Sequence, residues 1–327
     1  MLKMTNDLKA LIGLINNRLT EHSYGEQPNE LYEPIRYIMS LGGKRLRPVL
    51  VLLAYKLFKD DHETILDQAL AVEVFHNFTL MHDDIMDDAP LRRGKQTVHE
   101  KWDSSTAILS GDVMLVRAYD LLLDAPGDLR VIIKAFNECA AGVCEGQQFD
   151  MNFETMSSVT EEDYINMIRL KTAVLLGFSL QFGAMLAGAS EASTKALYKF
   201  GVDIGIGFQL KDDLLDVYAD QEKFGKQVGG DIISNKKTFL LLKALELANK
   251  EQKTQLTQWI DKKEFDSAEK VEAVTAIYDQ IGIKELTLGK MNEYFNKGFE
   301  SLDKIEVAEE RKTGLKSFAQ YLIERDK

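Results

Sequence analysis

Cysteine is nearly absent from this chain of 327 residues, which has only Cys139 and Cys144. Both fall in what reads as one helix, where the intervening positions separate their directions. They suggest neither a disulfide nor a zinc site and are expected to be core thiols. Proline is scarce as well, with five residues and none after Pro126, so helices in the remainder can run without that interruption. Positive charge is in short supply. The 40 Lys and Arg against 52 Asp and Glu leave a net charge of -12. This balance argues against nonspecific nucleic-acid binding, which needs a basic surface, but not against anions that arrive with Mg2+. No run of about 18 apolar residues occurs, so no membrane span is expected. The N-terminal MLKMTNDLKALIGLINNRL is amphipathic and lacks a cleavage-like run, and the expected location is the cytoplasm. Ser/Gly linkers, low-complexity tracts and short repeats are missing too, and a single domain over residues 1–327 is the economical reading.

Apolar residues are plentiful, at 45% of the chain, enough for a sizeable core. They recur at three- and four-residue spacing, as at Leu115, Tyr119, Leu122 and Leu123, and again at Leu210, Leu214 and Val217. Alternating strand-like stretches are few. Turn signals at Gly42-Gly43, Ala89-Pro90, Pro126-Gly127, Ser157-Ser158 and Gly229-Gly230 divide the helical blocks. The pattern predicts an all-α fold.

One stretch, LMHDDIMDDAPLRRGK at 80–95, sets four aspartates and then two arginines directly after an apolar helical run. On a helix Asp83 and Asp87 lie only about 40° apart, with Asp84 beside them. Unpaired, like charges at this spacing repel by roughly 0.2–0.5 kcal/mol per pair. Magnesium, a hard cation held by carboxylates together with substrate phosphates, would relieve that repulsion. A solvated acidic helix end is the alternative for one such cluster alone. A second copy, FQLKDDLLD at 208–216, repeats the pattern with Asp212, Asp213 and Asp216. Basic residues accompany both clusters: Lys44 and Arg47 in GGKRLRP, Arg92 and Arg93, Lys171 before Thr172, and Lys226 and Lys236 in FGKQVGGDIISNKKTF. Any one of these alone reads as a solvated surface charge. Together they suit a site for two phosphorylated substrates, arginine by its bidentate fork and lysine as a point charge.

With these motifs the sequence resembles the trans-type isoprenyl diphosphate synthases, the polyprenyl synthetase family that includes farnesyl and geranylgeranyl diphosphate synthases. The likeness runs from Gly42 to Thr238, with every motif in order. It implies an all-α bundle around a deep central cavity, a homodimer, and three Mg2+ ions held by Asp83, Asp84, Asp87, Asp212, Asp213 and Asp216. By the same likeness Arg92, Lys171, Lys226 and Lys236 serve the allylic diphosphate, and Lys44, Arg47, His76 and Arg93 serve isopentenyl diphosphate. Thr172 and Gln209 match polar groups near the reacting carbons. His76, alone in VEVFHNFTLMHDD, also reads as a satisfied core histidine.

The implied chemistry follows from charge. An allylic C–O bond ionises as its diphosphate is neutralised, the double bond of isopentenyl diphosphate attacks the cation, and a proton is lost. Dimethylallyl, geranyl and farnesyl diphosphates are the expected primers. In the resembling family, bulky residues upstream of the first cluster set product length. Here Phe78 is aromatic at the fifth position before Asp83, Thr79 at the fourth is not, and Phe75 lies one turn further back. This pattern resembles geranylgeranyl synthases, with a farnesyl product as the alternative. Phe75 and Phe78 also read as ordinary core packing. A class I terpene cyclase has no need of Lys44, Arg47, His76 and Arg93, and a noncatalytic subunit would lack one of the two intact aspartate motifs.

Overall fold

The computed structural model describes residues 6–219 and 229–324. The chain begins with α1 (Asn6–Glu21), α2 (Asn29–Ser40), α3 (Leu46–Lys56) and α4 (Leu66–Met86). A two-stranded antiparallel hairpin follows, β1 (Leu91–Arg92) and β2 (Lys95–Gln96), with Arg93 and Gly94 at positive φ in its two-residue turn. The sequence pattern gives no sign of this hairpin, because two residues per strand are too few for alternation to register. Next come α5 (Val98–Lys101), α6 (Ser104–Leu123), α7 (Leu129–Thr155) and α8 (Glu161–Ile168). A π-turn at Arg169–Ala173 leads into α9 (Val174–Leu186), and α10 spans Glu191–Tyr218. Beyond it lie α11 (Gly230–Ile233), α12 (Phe239–Leu247), α13 (Lys250–Asp261), α14 (Ser267–Ile281), α15 (Ile283–Asp303) and α16 (Glu309–Glu324).

Local chemistry sets many of these boundaries. Asp103 and Asp128 accept backbone N–H bonds at the starts of α6 and α7, and Thr160 with Asp163 forms a capping box at α8. Pro34 lies inside α2 with its ring buried and supplies no N–H to the helix ladder.

Packing centres on α9 and α10. The sequence of α9, VLLGFSLQFGAML, has no charged residue, and the helix is buried almost all round, between α3 on one side and α10 on the other. Gly177 and Gly201 let α9 and α10 touch backbone to backbone: a Cβ at Gly201 would stand 2.7 Å from Gly177 Cα. Along its other flank α10 packs on α15, while α4 packs on α6. A smaller apolar cluster, including Val217, Ile232, Leu256, Val274 and Tyr278, joins the end of α10 to α11, α13 and α14. It supports the segment that carries Lys236. Of the two cysteines on α7, Cys139 is buried as expected, but Cys144 is exposed, because α7 turns that face outward. Among the described residues no helix is long and apolar enough to cross a membrane.

Candidate active site

Both aspartate motifs sit in the last turns of their helices, α4 and α10, where the negative end of the helix dipole adds to their attraction for cations. Within each motif the aspartates divide. Asp84 is 2% exposed, and Arg92 Nε donates to both of its oxygens, at 2.9 and 2.8 Å. Asp213 is likewise buried; Gln209 Nε2 donates to Oδ1 at 3.0 Å and the Tyr164 hydroxyl to Oδ2. Asp83, Asp87, Asp212 and Asp216 stand half-buried or exposed at the rim.

Lysines lie between the motifs. Lys171 Nζ is 3.3 Å from Asp83 Oδ1 and 2.7 Å from Asp150 Oδ2 on α7. Lys236 Nζ lies 3.8 Å from the same Asp150 oxygen. Burial disfavours the charge on Lys236, but Asp150, Asp231, Asp213 and Asp87 outweigh it and raise its pKa. Folding brings the two motifs into one site: Lys171 meets Asp83 of the first, and its neighbour Thr172 bonds Gln209, which holds Asp213 of the second. The π-turn aims Lys171 there, and its neighbour Thr172 donates to Gln209 Oε1 at 3.1 Å, continuing the chain to Asp213. Gly146 on α7 makes room for this turn: a Cβ there would lie 2.2 Å from Lys171 N.

Burial, with repulsion from Asp231, raises the carboxyl pKa of Asp213; burial, with repulsion from Asp216 and Asp150, raises that of Asp231; and burial and Asp83 do the same at Asp87. Asp231 reaches the group through its backbone N–H, 2.9 Å from Asp216 Oδ2. A donor set made of crowded carboxylate oxygens fits hard divalent cations such as Mg2+. Beside it a cleft of about 1260 Å3 opens between Asp87, Asp150 and Lys236 on one side and Leu241, Leu242 and Leu245 of α12 on the other.

A second pocket, about 370 Å3, gathers Lys44, Arg47, His76 and Arg93 with Arg45 and Glu73. Arg47 Nη1 lies 3.1 Å from His76 Nε2. Burial, with Arg47 and Arg93 nearby, holds the imidazole well below its ordinary pKa, so it is neutral and accepts from the guanidinium. Arg93 donates to the Gly42 carbonyl, which ties the hairpin to the Gly42-Gly43 turn. The back wall is an ion pair of Arg45 and Glu73, 2.6 Å apart, with side chains 4% and 3% exposed.

Upstream on α4, Phe78 is half-buried with Thr79, whose hydroxyl bonds the His76 carbonyl at 2.8 Å. Behind it Phe75 is buried, 5.7 Å from Phe78 and 5.0 Å from Phe136 between ring centres. Lys226 lies outside the described residues. Asp150, Tyr164, Arg45, Glu73 and Asp231 are site residues that sequence reasoning missed. Asp150 is signalled only by a polar residue on the inner face of a helix, and Asp231 stands unassigned within a quoted motif. Tyr164 leaves no sequence signal.

Comparison with known proteins identifies the family. The family model described as polyprenyl synthetase matches residues 28–278. A geranylgeranyl pyrophosphate synthase of Geoglobus acetivorans is 38% identical over 98% of each chain. A geranylfarnesyl diphosphate synthase of Natronomonas pharaonis is 34% identical over 95% of each. A crystal structure of a geranylgeranyl pyrophosphate synthase superposes with a TM-score of 0.93 at 43% identity, covering 98% of this chain and 99% of that one. The chain belongs to the polyprenyl synthetase family.

Proposed function

We propose that this prenyltransferase condenses isopentenyl diphosphate head-to-tail with allylic diphosphates and stops mainly at geranylgeranyl diphosphate. The observation that carries the reading is the linkage of both aspartate motifs through Lys171, Thr172 and Gln209 beside a separate cationic pocket, which suits two phosphorylated substrates held side by side. Asp83, Asp84, Asp87, Asp212, Asp213 and Asp216 would hold three Mg2+ ions, with Asp84 and Asp213 also bonded to the flanking Arg92, Gln209 and Tyr164. Mg2+ bound there supplies positive charge against the diphosphate as it leaves. Arg92, Lys171, Lys226 and Lys236 bind the same diphosphate, and the preorganised charge of Arg92, Lys171 and Lys236 lowers the cost of C–O cleavage.

Lys44, Arg47, His76 and Arg93 hold isopentenyl diphosphate. Neutral His76 presents a neutral rim beside three cations, and Arg47 stays protonated at neutral pH despite its burial. Thr172 and Gln209, joined by a hydrogen bond, orient polar oxygens toward the allylic cation. The departed diphosphate takes the proton. Phe78, backed by Phe75 and Phe136, ends the channel for the growing tail.

The chain acts as a homodimer in the cytoplasm. Leu109, Val116 and Leu123 recur every seventh residue on α6 and are 56–58% exposed, an apolar stripe that supports self-association.

The test is product analysis with Mg2+, labelled isopentenyl diphosphate and, separately, dimethylallyl, geranyl and farnesyl primers. A ladder ending at twenty carbons is expected. A stop at fifteen or twenty-five refutes the product assignment, and no elongation by folded protein refutes the reaction.

A further inference from the structure

Lys236 and Lys237 are adjacent in sequence yet leave the backbone toward different partners. Lys236 enters the aspartate cluster, whereas Lys237 Nζ donates to the carbonyls of Phe153, Glu154 (3.4 Å) and Met156 (2.7 Å) at the end of α7. Those carbonyls lack helical partners, and a cation at a helix C-terminus meets both their hydrogen-bonding need and the dipole. Since α7 also carries Asp150, Lys237 ties the backbone of Lys236 to the helix that bears its carboxylate partner.

The other side of the segment is held by Lys270 of α14. This lysine is 1% exposed, yet both its hydrogen bonds go to neutral acceptors: Ile233 O at 3.2 Å and Asn235 Oδ1 at 2.7 Å. The Phe265 ring lies 4.2 Å from its Nζ. A buried ammonium with such a set is expensive to desolvate, so a purely packing role would be better filled by an apolar residue. What it holds is specific. Ile233 ends α11, and Asn235, at φ 56°, is the left-handed residue that turns the chain into Lys236. Asn235 is anchored further by Nδ2 to Ile260 O at 3.1 Å.

We propose that Lys270 and Lys237 are positioning residues that clamp the backbone on either side of Lys236 and fix its ammonium beside Asp150 at the aspartate cluster. The proposal rests on the reading of Lys236 as a diphosphate contact. Neither lysine touches substrate; each acts through the geometry of the 233–238 turn.

The test is a double-mutant cycle. Lys270→Met and Lys237→Met are each made in the wild-type and Lys236→Met backgrounds, folding is checked by circular dichroism, and kcat/KM for the allylic diphosphate is measured. Displacing Lys236 by about an ångström predicts a loss on the order of 10-fold or more in the wild-type background. Once Lys236 is gone its clamps have nothing to position, so the same substitutions should change kcat/KM by less than about 2-fold there. Equal losses in both backgrounds, or no loss in either, overturn the clamp while leaving the Lys236 reading intact. A Lys236→Met enzyme with normal kcat/KM refutes that reading and the clamp with it. Lys237, partly exposed, decides the question if Lys270→Met does not fold.

Discussion

Replacing Gly146 by alanine tests the link between helix packing and the position of Lys171. Two effects oppose each other. In a helix interior alanine is favoured over glycine by about 1 kcal/mol, so propensity alone predicts a more stable protein. The new Cβ, however, would lie 2.2 Å from Lys171 N, 2.6 Å from Lys171 Cα and 2.7 Å from the Leu170 carbonyl carbon. Ordinary contact begins near 3.4 Å, and 3.4 minus 2.2 leaves a shortfall of about 1.2 Å. All three atoms are backbone, so no side chain can rotate away, and α7 must separate from the π-turn. Overpacking of this kind costs typically 1–3 kcal/mol, which outweighs the propensity gain over most of that range. The larger consequence is functional, because the displaced elements carry Asp150 on one side and Lys171 with Thr172 on the other. Misplacement near an ångström costs roughly 100-fold in rate. The assay is kcat/KM with isopentenyl and allylic diphosphates, beside urea denaturation. Gly289→Ala is the control: it lies within α15 with nothing within 4 Å of its Cβ, and it should stabilise by about 0.4–1 kcal/mol with normal turnover. A Gly146→Ala enzyme as active and as stable as that control would refute the reasoning.

Phe78→Ala should lengthen the main product, because the tail then extends toward Phe75 and Phe136; an unchanged product distribution on chromatography moves the channel floor elsewhere. Asp83→Ala and Asp212→Ala should each lower turnover by about 100-fold or more with the denaturation midpoint little changed, and near-normal Mg2+-dependent rates defeat the metal assignment. His76 makes stability depend on pH. Its native pKa lies well below 6.5, so between that value and the native pKa the unfolded chain binds a proton that the native one refuses. Its contribution is therefore complete above about pH 6.5 and is lost as pH falls, by at most about 1.4 kcal/mol per pH unit. His76→Gln should flatten the fall between pH 6.5 and 5 in denaturation midpoints; an unaltered slope contradicts a buried, neutral imidazole.

Much of this protein is written locally. Helical periodicity, capping residues such as Asp103, Asp128 and Thr160, and the scarcity of proline determine an all-α chain, since each acts within one or two turns. The two DDxxD motifs and their basic companions were legible for the same reason: residues spaced by three or four share a helix face wherever that helix lies. Only the tertiary structure decided which member of each motif turns inward. Asp84 and Asp213 are buried because Arg92, Gln209 and Tyr164 can reach them, and Tyr164 comes from α8, remote in sequence. Asp150 became part of the site because α7 crosses the π-turn at Gly146, a close approach that spacing along the chain cannot register. Arg45 and Arg47, two residues apart in one basic motif, part company as well: Arg45 is paired with Glu73, and Arg47 meets His76 in the pocket. Charge type and helical face are properties of short segments, whereas partner and burial depend on which segments the core brings together.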